Sequence, residues 1–215
     1  MLYLTAKFFF RCFYFPFWKN KALGKETILQ SKKGAIIAPN HYSYFDPPLI
    51  AISSPRPVYF LAKRSLFANR FFNWIFRKFH SLPIEGGVSD KDSLKDAINI
   101  LENKGFLVIF PEGTRSQNGK IAPFQKGVGM LAFRLRCPII PTYIHGTYES
   151  WPPQQPLPTP FRNSAVVFGT PIPWKAEWNE LSRKDCIRAV TEEVEKAVRS
   201  LQASYLKNLE KEEGL

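Results

Sequence analysis

The sequence predicts a single α/β domain built on a mixed, mostly parallel sheet that is flanked by helices. Its 215 residues fit one domain of ordinary size. Hydrophobic residues make up 45% of the chain and charged residues 22%, a globular balance that excludes extensive disorder. Short apolar runs rich in β-branched residues alternate with stretches of helical periodicity. This alternation predicts strands that are joined by helices.

Each element follows from a local pattern of the chain. Short apolar runs predict six strands, at residues 35–38, 58–62, 82–84, 106–110, 139–144 and 165–168. Apolar residues that recur on one helical face predict three helices, at 91–103, 124–135 and 184–209. Residues 151–160 contain five prolines and predict an extended surface loop.

The first 18 residues carry nine aromatic side chains, interrupted by Lys7 and Arg11 and by Pro16. The run is too short and too charged for a membrane-spanning helix. It is also a poor match to a cleaved signal peptide, whose apolar stretch lacks charge and ends in small residues. These features predict an N-terminal helical segment that lies in a membrane interface, with its rings at headgroup depth. A helix that packs on the protein's own core is the alternative.

The net charge of +12 is concentrated in two segments. Residues 1–33 hold seven Lys and Arg and one Glu, and residues 63–78 hold five Lys and Arg and no acid. Both segments are rich in aromatic residues, and residues 66–79 predict either a second membrane-contacting helix or a buried one. A basic, aromatic surface indicates an anionic partner, either a membrane leaflet or a nucleic acid. We therefore treat residues 1–33 as a membrane-interface segment and residues 34–215 as the main domain.

The three cysteines, Cys12, Cys137 and Cys186, are far apart in the chain. The sequence has no CxxC motif and no cluster of Cys and His. This spacing predicts neither a disulfide framework nor a zinc site, and it is typical of a reducing compartment.

Two loops carry the residues that could do chemistry. The first follows the strand at 35–38 and holds His41 and Asp46 just before a helix. A carboxylate that holds one ring nitrogen of His41 leaves the other nitrogen to take a proton. Asp46 followed by Pro47 also predicts a helix N-cap. A purely structural histidine is the alternative for His41.

The second loop follows the strand at 106–110 and reads Glu112-Gly113-Thr114-Arg115. Backbone amides and a guanidinium in such a turn can hold a phosphate group. The loop is not a Walker A loop, because five residues separate Gly113 from Gly119 and no Ser or Thr follows the lysine at 120. A simple glycine turn with an exposed arginine is the alternative. The sequence contains no Gly-x-Ser-x-Gly nucleophile elbow and no candidate catalytic cysteine. We therefore expect the nucleophile to come from the substrate.

Three motifs in this order resemble those of the glycerolipid acyltransferase family, and most closely its 1-acyl-glycerol-3-phosphate acyltransferase branch. They are Asn40-His41-x4-Asp46, Phe110-Pro-Glu-Gly-Thr-Arg-Ser116 and Cys137-Pro-Ile-Ile-Pro141. The resemblance runs from about residue 34 to residue 169. It implies that residues 34–215 form an acyltransferase domain that needs no cofactor or metal. It also implies an acyl-CoA or acyl-carrier protein as co-substrate, and a peripheral or monotopic location on the cytoplasmic face of the inner or plasma membrane.

The resemblance also implies a role for each motif residue. His41 corresponds to a general base that deprotonates the free hydroxyl of a lysophospholipid, and Asp46 orients it. The substrate-binding residues implied are Asn40, Lys63, Glu112, Gly113, Thr114 and Arg115. Glu112 is expected mainly to orient its loop, and Lys63 could equally be one more residue of a basic stretch. The family usually carries an arginine where this chain has Gly86, which predicts that a second phosphate contact is absent or replaced.

Other functions remain open at this stage. The acceptor could be another lysophospholipid, or water, which would make the protein a thioesterase. A non-catalytic binder of membranes or of nucleic acid is a further alternative. The aromatic residues are mostly Phe in solid clusters, with few polar groups placed to recognise bases, so we expect a membrane with anionic lipids and no nucleic acid as partner.

Overall fold

The computed structural model of the chain describes residues 5, 7, 8, 10, 12, 18–70, 73, 74, 80–84 and 91–213. The side chains of residues 63, 66, 84, 91–94 and 213 fall outside this description.

One sheet of seven strands organises the described residues. In chain order the strands are β1 (Lys19–Leu23), β2 (Ala35–Pro39), β3 (Val58–Lys63), β4 (Ser81–Ile84), β5 (Phe106–Val108), β6 (Ile139–His145) and β7 (Asn163–Phe168). Their order across the sheet is β1-β7-β6-β2-β5-β3-β4. Strands β2 to β6 are parallel, whereas β7 is antiparallel to β6 and β1 is parallel to β7. The predicted mixed, mostly parallel sheet is therefore confirmed.

Helices cover both faces of this sheet. They are α1 (Glu26–Leu29), α2 (Asp46–Ser53), α3 (Lys91–Glu102), α4 (Gly127–Leu135), α5 (Thr147–Ser150) and α6 (Arg183–Glu213), with 3-10 turns at Arg64–Phe67 and Ala176–Asn179. One core lies under α3, α4 and α6 and includes Ile36 of β2. The other lies under α1 and α2 and includes Ile37 of β2. Burial on both faces explains why β2 is a continuous apolar run.

Because β2 and β5 are adjacent and parallel, the loops that follow them leave the same edge of the sheet. Ile37 pairs with Val108 near the ends of these strands, and Ile109 donates one further hydrogen bond to the Ile37 oxygen. The predicted strand at 106–110 is therefore shorter than expected, because the ladder ends where the chain turns toward the loop. In open α/β sheets, functional groups typically lie at this edge.

The edge strand β1 is an element that the sequence did not predict. It pairs with β7 from Lys19 to Leu23, within the segment interpreted as membrane interface. Trp18, directly before it, is buried, and its Nε1 donates a 2.8 Å hydrogen bond to the Thr159 oxygen. The interpretation of Trp18 as an interfacial ring is therefore wrong, because this indole packs in the core beside Phe45.

The other N-terminal aromatic residues are described only in part. Phe8 is exposed, whereas Phe10 packs against the core residue Phe45. The aromatic residues at 3, 9, 13–15 and 17 lie outside the described residues, as do most of those at 66–79. The interfacial segment and the division at residues 33 and 34 thus stay predictions. None of the described helices combines the length and the apolar composition needed to cross a membrane.

Candidate active site

Asn40 fixes the point at which the first loop leaves the sheet. Its side chain is completely buried, and its amide bonds to both backbone groups of Ile144 on the neighbouring strand. Oδ1 accepts from the Ile144 N–H at 2.7 Å, and Nδ2 donates to the Ile144 oxygen at 3.0 Å. The side-chain amide thus continues the β2–β6 ladder beyond Pro39. This burial corrects the prediction that Asn40 binds substrate, because its polar groups are already used inside the protein.

His41 and Asp46 are brought together by the tight turn between them. His41 Nδ1 lies 2.8 Å from Asp46 Oδ2. This oxygen also accepts the backbone N–H groups of Tyr42 at 2.6 Å and Ser43 at 2.8 Å. Because Oδ2 acts as an acceptor for its neighbours, we assign the hydrogen of the ring to Nδ1. The other ring nitrogen, Nε2, is then available to accept a proton.

The predicted N-cap role of Asp46 is wrong. Helix α2 begins at Asp46 itself, and no side chain caps its first turn. The carboxylate instead faces the preceding loop, where it accepts hydrogen bonds from the backbone N–H groups of Tyr42 and Ser43. It is completely buried, whereas the imidazole is 16% exposed. A buried carboxylate beside a partly exposed imidazole can stabilise positive charge that develops on the ring.

The ring of Phe110 supports the face of the imidazole. The centroids of the two rings are 3.9 Å apart and their planes differ by 24°. Asp46 therefore holds one edge of the His41 ring while Phe110 holds one face. Together these contacts restrict the direction in which Nε2 points.

Glu112 joins the two loops through their backbones. Its Oε1 accepts the His41 N–H at 2.7 Å, and its Oε2 accepts the Ala122 N–H at 2.8 Å. The Ser116 N–H in turn donates to the His41 oxygen at 2.8 Å. Burial of the carboxyl raises the pKa of Glu112 from 4.5 to about 7. Both oxygens are used internally, so Glu112 positions the loops and does not fit the predicted substrate contact.

The turn at Gly113 presents Thr114 and Arg115. Gly113 has a φ of +73° and its own N–H donates to the Phe110 oxygen, so it closes the turn and is not a free donor for a ligand. The backbone N–H groups of Thr114 and Arg115 donate to no other described residue. The half-buried guanidinium of Arg115 likewise has no hydrogen-bond acceptor among the described residues. Unpaired donors of this kind suit an anionic ligand.

The geometry therefore places an imidazole that can take a proton beside a turn that can hold an anion. His41 Nε2 can take a proton, and the neighbouring turn offers N–H donors that the protein itself does not use. Cys137 and Cys186 are buried, and burial raises the pKa of Cys137 to about 12; among the described residues no contact joins a cysteine to His41. Within the described ranges, no three His, Cys, Asp or Glu side chains group as metal ligands.

The family model described as Acyltransferase matches residues 21–145 of this chain. This match runs from within β1 to the end of β6 and includes both loops of the candidate site. The chain belongs to the acyltransferase family. The resemblance drawn from the three sequence motifs is thereby confirmed.

Plant relatives match part of this acyltransferase chain. A chloroplastic 1-acyl-sn-glycerol-3-phosphate acyltransferase of Brassica napus is 27% identical over 64% of this chain and 40% of its own length. A 1-acyl-sn-glycerol-3-phosphate acyltransferase of Limnanthes douglasii is 31% identical over 56% of this chain and 44% of its own length. The chain thus spans less than half of these plant proteins.

Two bacterial proteins match more of the chain. A 1-acyl-sn-glycerol-3-phosphate acyltransferase of Bacillus subtilis is 24% identical over 85% of this chain and 87% of its own length. The crystal structure of PlsC, the 1-acyl-sn-glycerophosphate acyltransferase of Thermotoga maritima, aligns with a TM-score of 0.71 at 27% identity. That alignment covers 95% of this chain and 79% of the Thermotoga protein. The fold found here is therefore that of a known acyltransferase.

Two further positions named in the prediction, Lys63 and Gly86, have no contact with the candidate site that the structure describes. Lys63 is the last residue of β3, at the same edge of the sheet as His41, but its side chain falls outside the described residues. Gly86, where relatives were expected to carry an arginine, also lies outside them.

Two residues contact the site without a role predicted from the sequence. Phe110 lies within one of the three motifs, and Tyr44 lies between His41 and Asp46 and contacts the Arg115 side chain. The residue types in these loops indicate that the loops are functional. They do not indicate that Phe110 stacks on His41, because the two residues are 69 positions apart in the sequence. Only the fold brings such residues together.

Proposed function

We propose that this acyltransferase moves an acyl chain from acyl-CoA or acyl-carrier protein to the sn-2 hydroxyl of 1-acyl-glycerol-3-phosphate. The product would be phosphatidic acid, an intermediate of phospholipid biosynthesis. The observation that carries the proposal is the His41–Asp46 pair beside a loop whose Arg115 guanidinium lacks an acceptor among the described residues. The names of the plant and bacterial relatives support the same acceptor.

In this proposal His41 activates the acceptor directly. Nε2 takes the proton of the sn-2 hydroxyl, and the resulting oxygen nucleophile attacks the carbonyl carbon of the thioester. When the tetrahedral intermediate collapses, the C–S bond breaks and the leaving thiolate takes the proton back from the imidazolium. Asp46 holds the ring orientation and stabilises its positive charge during the step. The balance of atoms requires no group beyond the two substrates.

The phosphate of the acceptor is proposed to bind the second loop. Arg115 supplies the positive charge, and the backbone N–H groups of Thr114 and Arg115 supply further donors. Gly113 contributes the turn, and Glu112 holds that turn against the His41 loop. The acceptor would then bridge the two loops, with its phosphate at Arg115 and its sn-2 hydroxyl at His41.

We further propose that the protein works on a membrane surface, on the cytoplasmic face of the inner or plasma membrane. A lysophospholipid resides in a bilayer, so its hydroxyl can reach His41 only where the carboxyl edge of the sheet meets the lipid. Basic residues follow β3 at this edge, and anionic lipids attract them.

An acyl-transfer assay tests the function. The purified full-length chain is given lysophosphatidate, lysophosphatidylcholine or monoacylglycerol, each with acyl-CoA and with acyl-carrier protein. We expect transfer mainly to lysophosphatidate, because only this acceptor presents a phosphate monoester to Arg115. Release of free fatty acid without an acceptor would instead indicate a thioesterase, and equal use of all three acceptors would contradict the proposed phosphate site.

A further inference from the structure

Arg115 rests on a stack of aromatic rings. Its Cζ lies 3.6 Å from the centroid of the Tyr44 ring. The Tyr44 ring is tilted against Trp151, with 5.0 Å between the ring centroids. Trp151 is fixed in turn, because its backbone oxygen accepts a hydrogen bond from Ser43 Oγ and its ring packs edge-on against Phe45. The position of the guanidinium is therefore tied to the first loop through side chains.

Core packing does not explain this arrangement of Tyr44. Its side chain is among the exposed large hydrophobic groups, at 44%. Its hydroxyl makes no hydrogen bond to any residue in the described part of the chain. The ring face, and not the hydroxyl, thus makes the contact with Arg115.

We infer that Tyr44 is a positioning residue that orients Arg115 and thereby holds its guanidinium ready for the acceptor phosphate before the acceptor binds. This inference rests on the proposed function, in which Arg115 binds the acceptor phosphate. A cation–π contact uses the face of the guanidinium and leaves the N–H donors at its edges for oxygen anions. Because Tyr44 lies between His41 and Asp46 in the chain, the same short loop carries both the base and the support of the phosphate ligand.

Loss of the Tyr44 ring is expected to change mainly one kinetic constant, the KM for lysophosphatidate. Without Tyr44 the long Arg115 side chain regains rotamer freedom, and the acceptor must order it again on binding. Tyr44→Leu is therefore expected to raise the KM for lysophosphatidate about three- to thirty-fold, the range that a cation–π contact provides. The kcat and the KM for the thioester change little. Tyr44→Phe keeps the ring face and restores the KM.

A double-mutant cycle isolates the contact. In an Arg115→Ala background, Tyr44→Leu has no guanidinium left to orient and adds no further increase in KM. Arg136→Ala serves as the matched control, because it removes a guanidinium that lies 5.0 Å over Trp174. Arg136 follows α4 and precedes β6, so it lies at the opposite edge of the sheet and its loss leaves the KM unchanged. A short-chain, water-soluble lysophosphatidate keeps membrane binding out of the comparison.

The outcomes separate the inference from the function on which it rests. If the unmodified protein prefers lysophosphatidate to monoacylglycerol but Tyr44→Leu leaves the KM unchanged, the function stands and the inference is overturned. Additive effects of Tyr44→Leu and Arg115→Ala, or a Tyr44→Phe variant as impaired as Tyr44→Leu, also overturn it. A protein that shows no preference for the phosphate-bearing acceptor contradicts the proposed function, and the inference falls with it.

Discussion

His41 is held on three sides by side chains that come from different parts of the chain. Asp46 fixes one ring edge, Phe110 supports one ring face, and Glu112 binds the backbone N–H. Holding a base in one orientation lowers the entropy that the transition state must lose. The site thus separates the group that reacts from the groups that hold it, and variants at these positions should fail in different ways.

Replacement of the base should remove chemistry and leave the fold. His41→Ala is expected to lower kcat by about 10²- to 10⁴-fold, the contribution typical of a general base. The ring is partly exposed, so circular dichroism and thermal unfolding should change little. Asp46→Asn keeps an oxygen acceptor for Tyr42 and Ser43 but removes the negative charge, and it should also lower kcat strongly. A His41→Ala variant that keeps more than half of the kcat of the unmodified protein would contradict the mechanism.

Glu112 should make stability depend on pH in a defined direction. Its pKa is raised from 4.5 to about 7 by burial, so the folded protein retains a proton that the unfolded chain has released between these values. Each rise in pH within this window therefore favours the unfolded chain. Glu112→Gln stays neutral throughout and has no such dependence. The stability advantage of the unmodified protein over Glu112→Gln should shrink from pH 4.5 to pH 7, as measured by thermal unfolding; an advantage that grows would be contrary to this assignment.

The distance between partners along the chain explains which site residues could be predicted from sequence. His41 and Asp46 are five residues apart, so their pairing needs only a turn. One partner of Glu112, His41, lies 71 residues away, and the partner of Asn40, Ile144, lies 104 residues away. The sequence alone assigns Glu112 and Asn40 to the correct loops. Their roles as internal positioning groups depend on the order of strands in the sheet.

At the scale of elements, burial explains which strands could be predicted. The central strand β2 is buried along its whole length, so it is a plain apolar run. The edge strand β1 alternates between exposed and half-buried positions and begins with Lys19, Asn20 and Lys21. It has no apolar pattern of its own, because backbone pairing with β7 supplies its hydrogen bonds. Edge strands with charged residues are common in sheets that avoid further pairing.

Two glycines illustrate the two reasons why a position can exclude a side chain: its backbone conformation and the lack of space around it. Gly24 directly follows β1 and Gly113 shapes the turn that carries Thr114 and Arg115, and both have positive φ. A Cβ at Gly24 would lie 2.0 Å from the Phe168 oxygen, whereas one at Gly113 would meet only the Gln125 side chain at 3.5 Å. Gly113→Ala should therefore cost only the conformational penalty, about 1–2 kcal/mol.

Gly24→Ala should cost more than Gly113→Ala, because the chain must also move away from the backbone of β7. Denaturant unfolding of the two variants measures the difference in the free energy of unfolding. Equal losses would mean that β1 can shift without disturbing the sheet.

At the scale of the whole molecule, the strand directions place the basic residues at two opposite edges of the sheet. One edge carries the carboxyl ends of the parallel strands β2 to β6, and the other carries their amino ends. The loop from β1 to β2 carries Lys25, Lys32 and Lys33, and it lies at the edge opposite His41 because β1 runs against β2. Lys21 forms a 3.1 Å ion pair with Glu212. Lys25, Lys32 and Lys33, which were predicted to bind a membrane together with the rest of residues 1–33, therefore lie at the edge away from the candidate site. Arg64, in contrast, directly follows the carboxyl end of β3, at the edge that carries the candidate site, and Arg70 comes shortly after it in the chain.

This division predicts which charges bind a membrane. If the His41 edge faces the lipid, Arg64→Gln combined with Arg70→Gln should weaken binding to anionic vesicles by about 30-fold, since each basic group near such a surface contributes about 1 kcal/mol. Lys32→Gln combined with Lys33→Gln is the matched control: it removes the same charge from exposed positions at the opposite edge and should leave binding nearly unchanged. Vesicle co-sedimentation with increasing phosphatidylglycerol content measures both pairs at one salt concentration, because screening weakens all of these interactions. Equal losses for the two pairs would show that net charge, and not the edge that bears the site, directs the protein to the membrane.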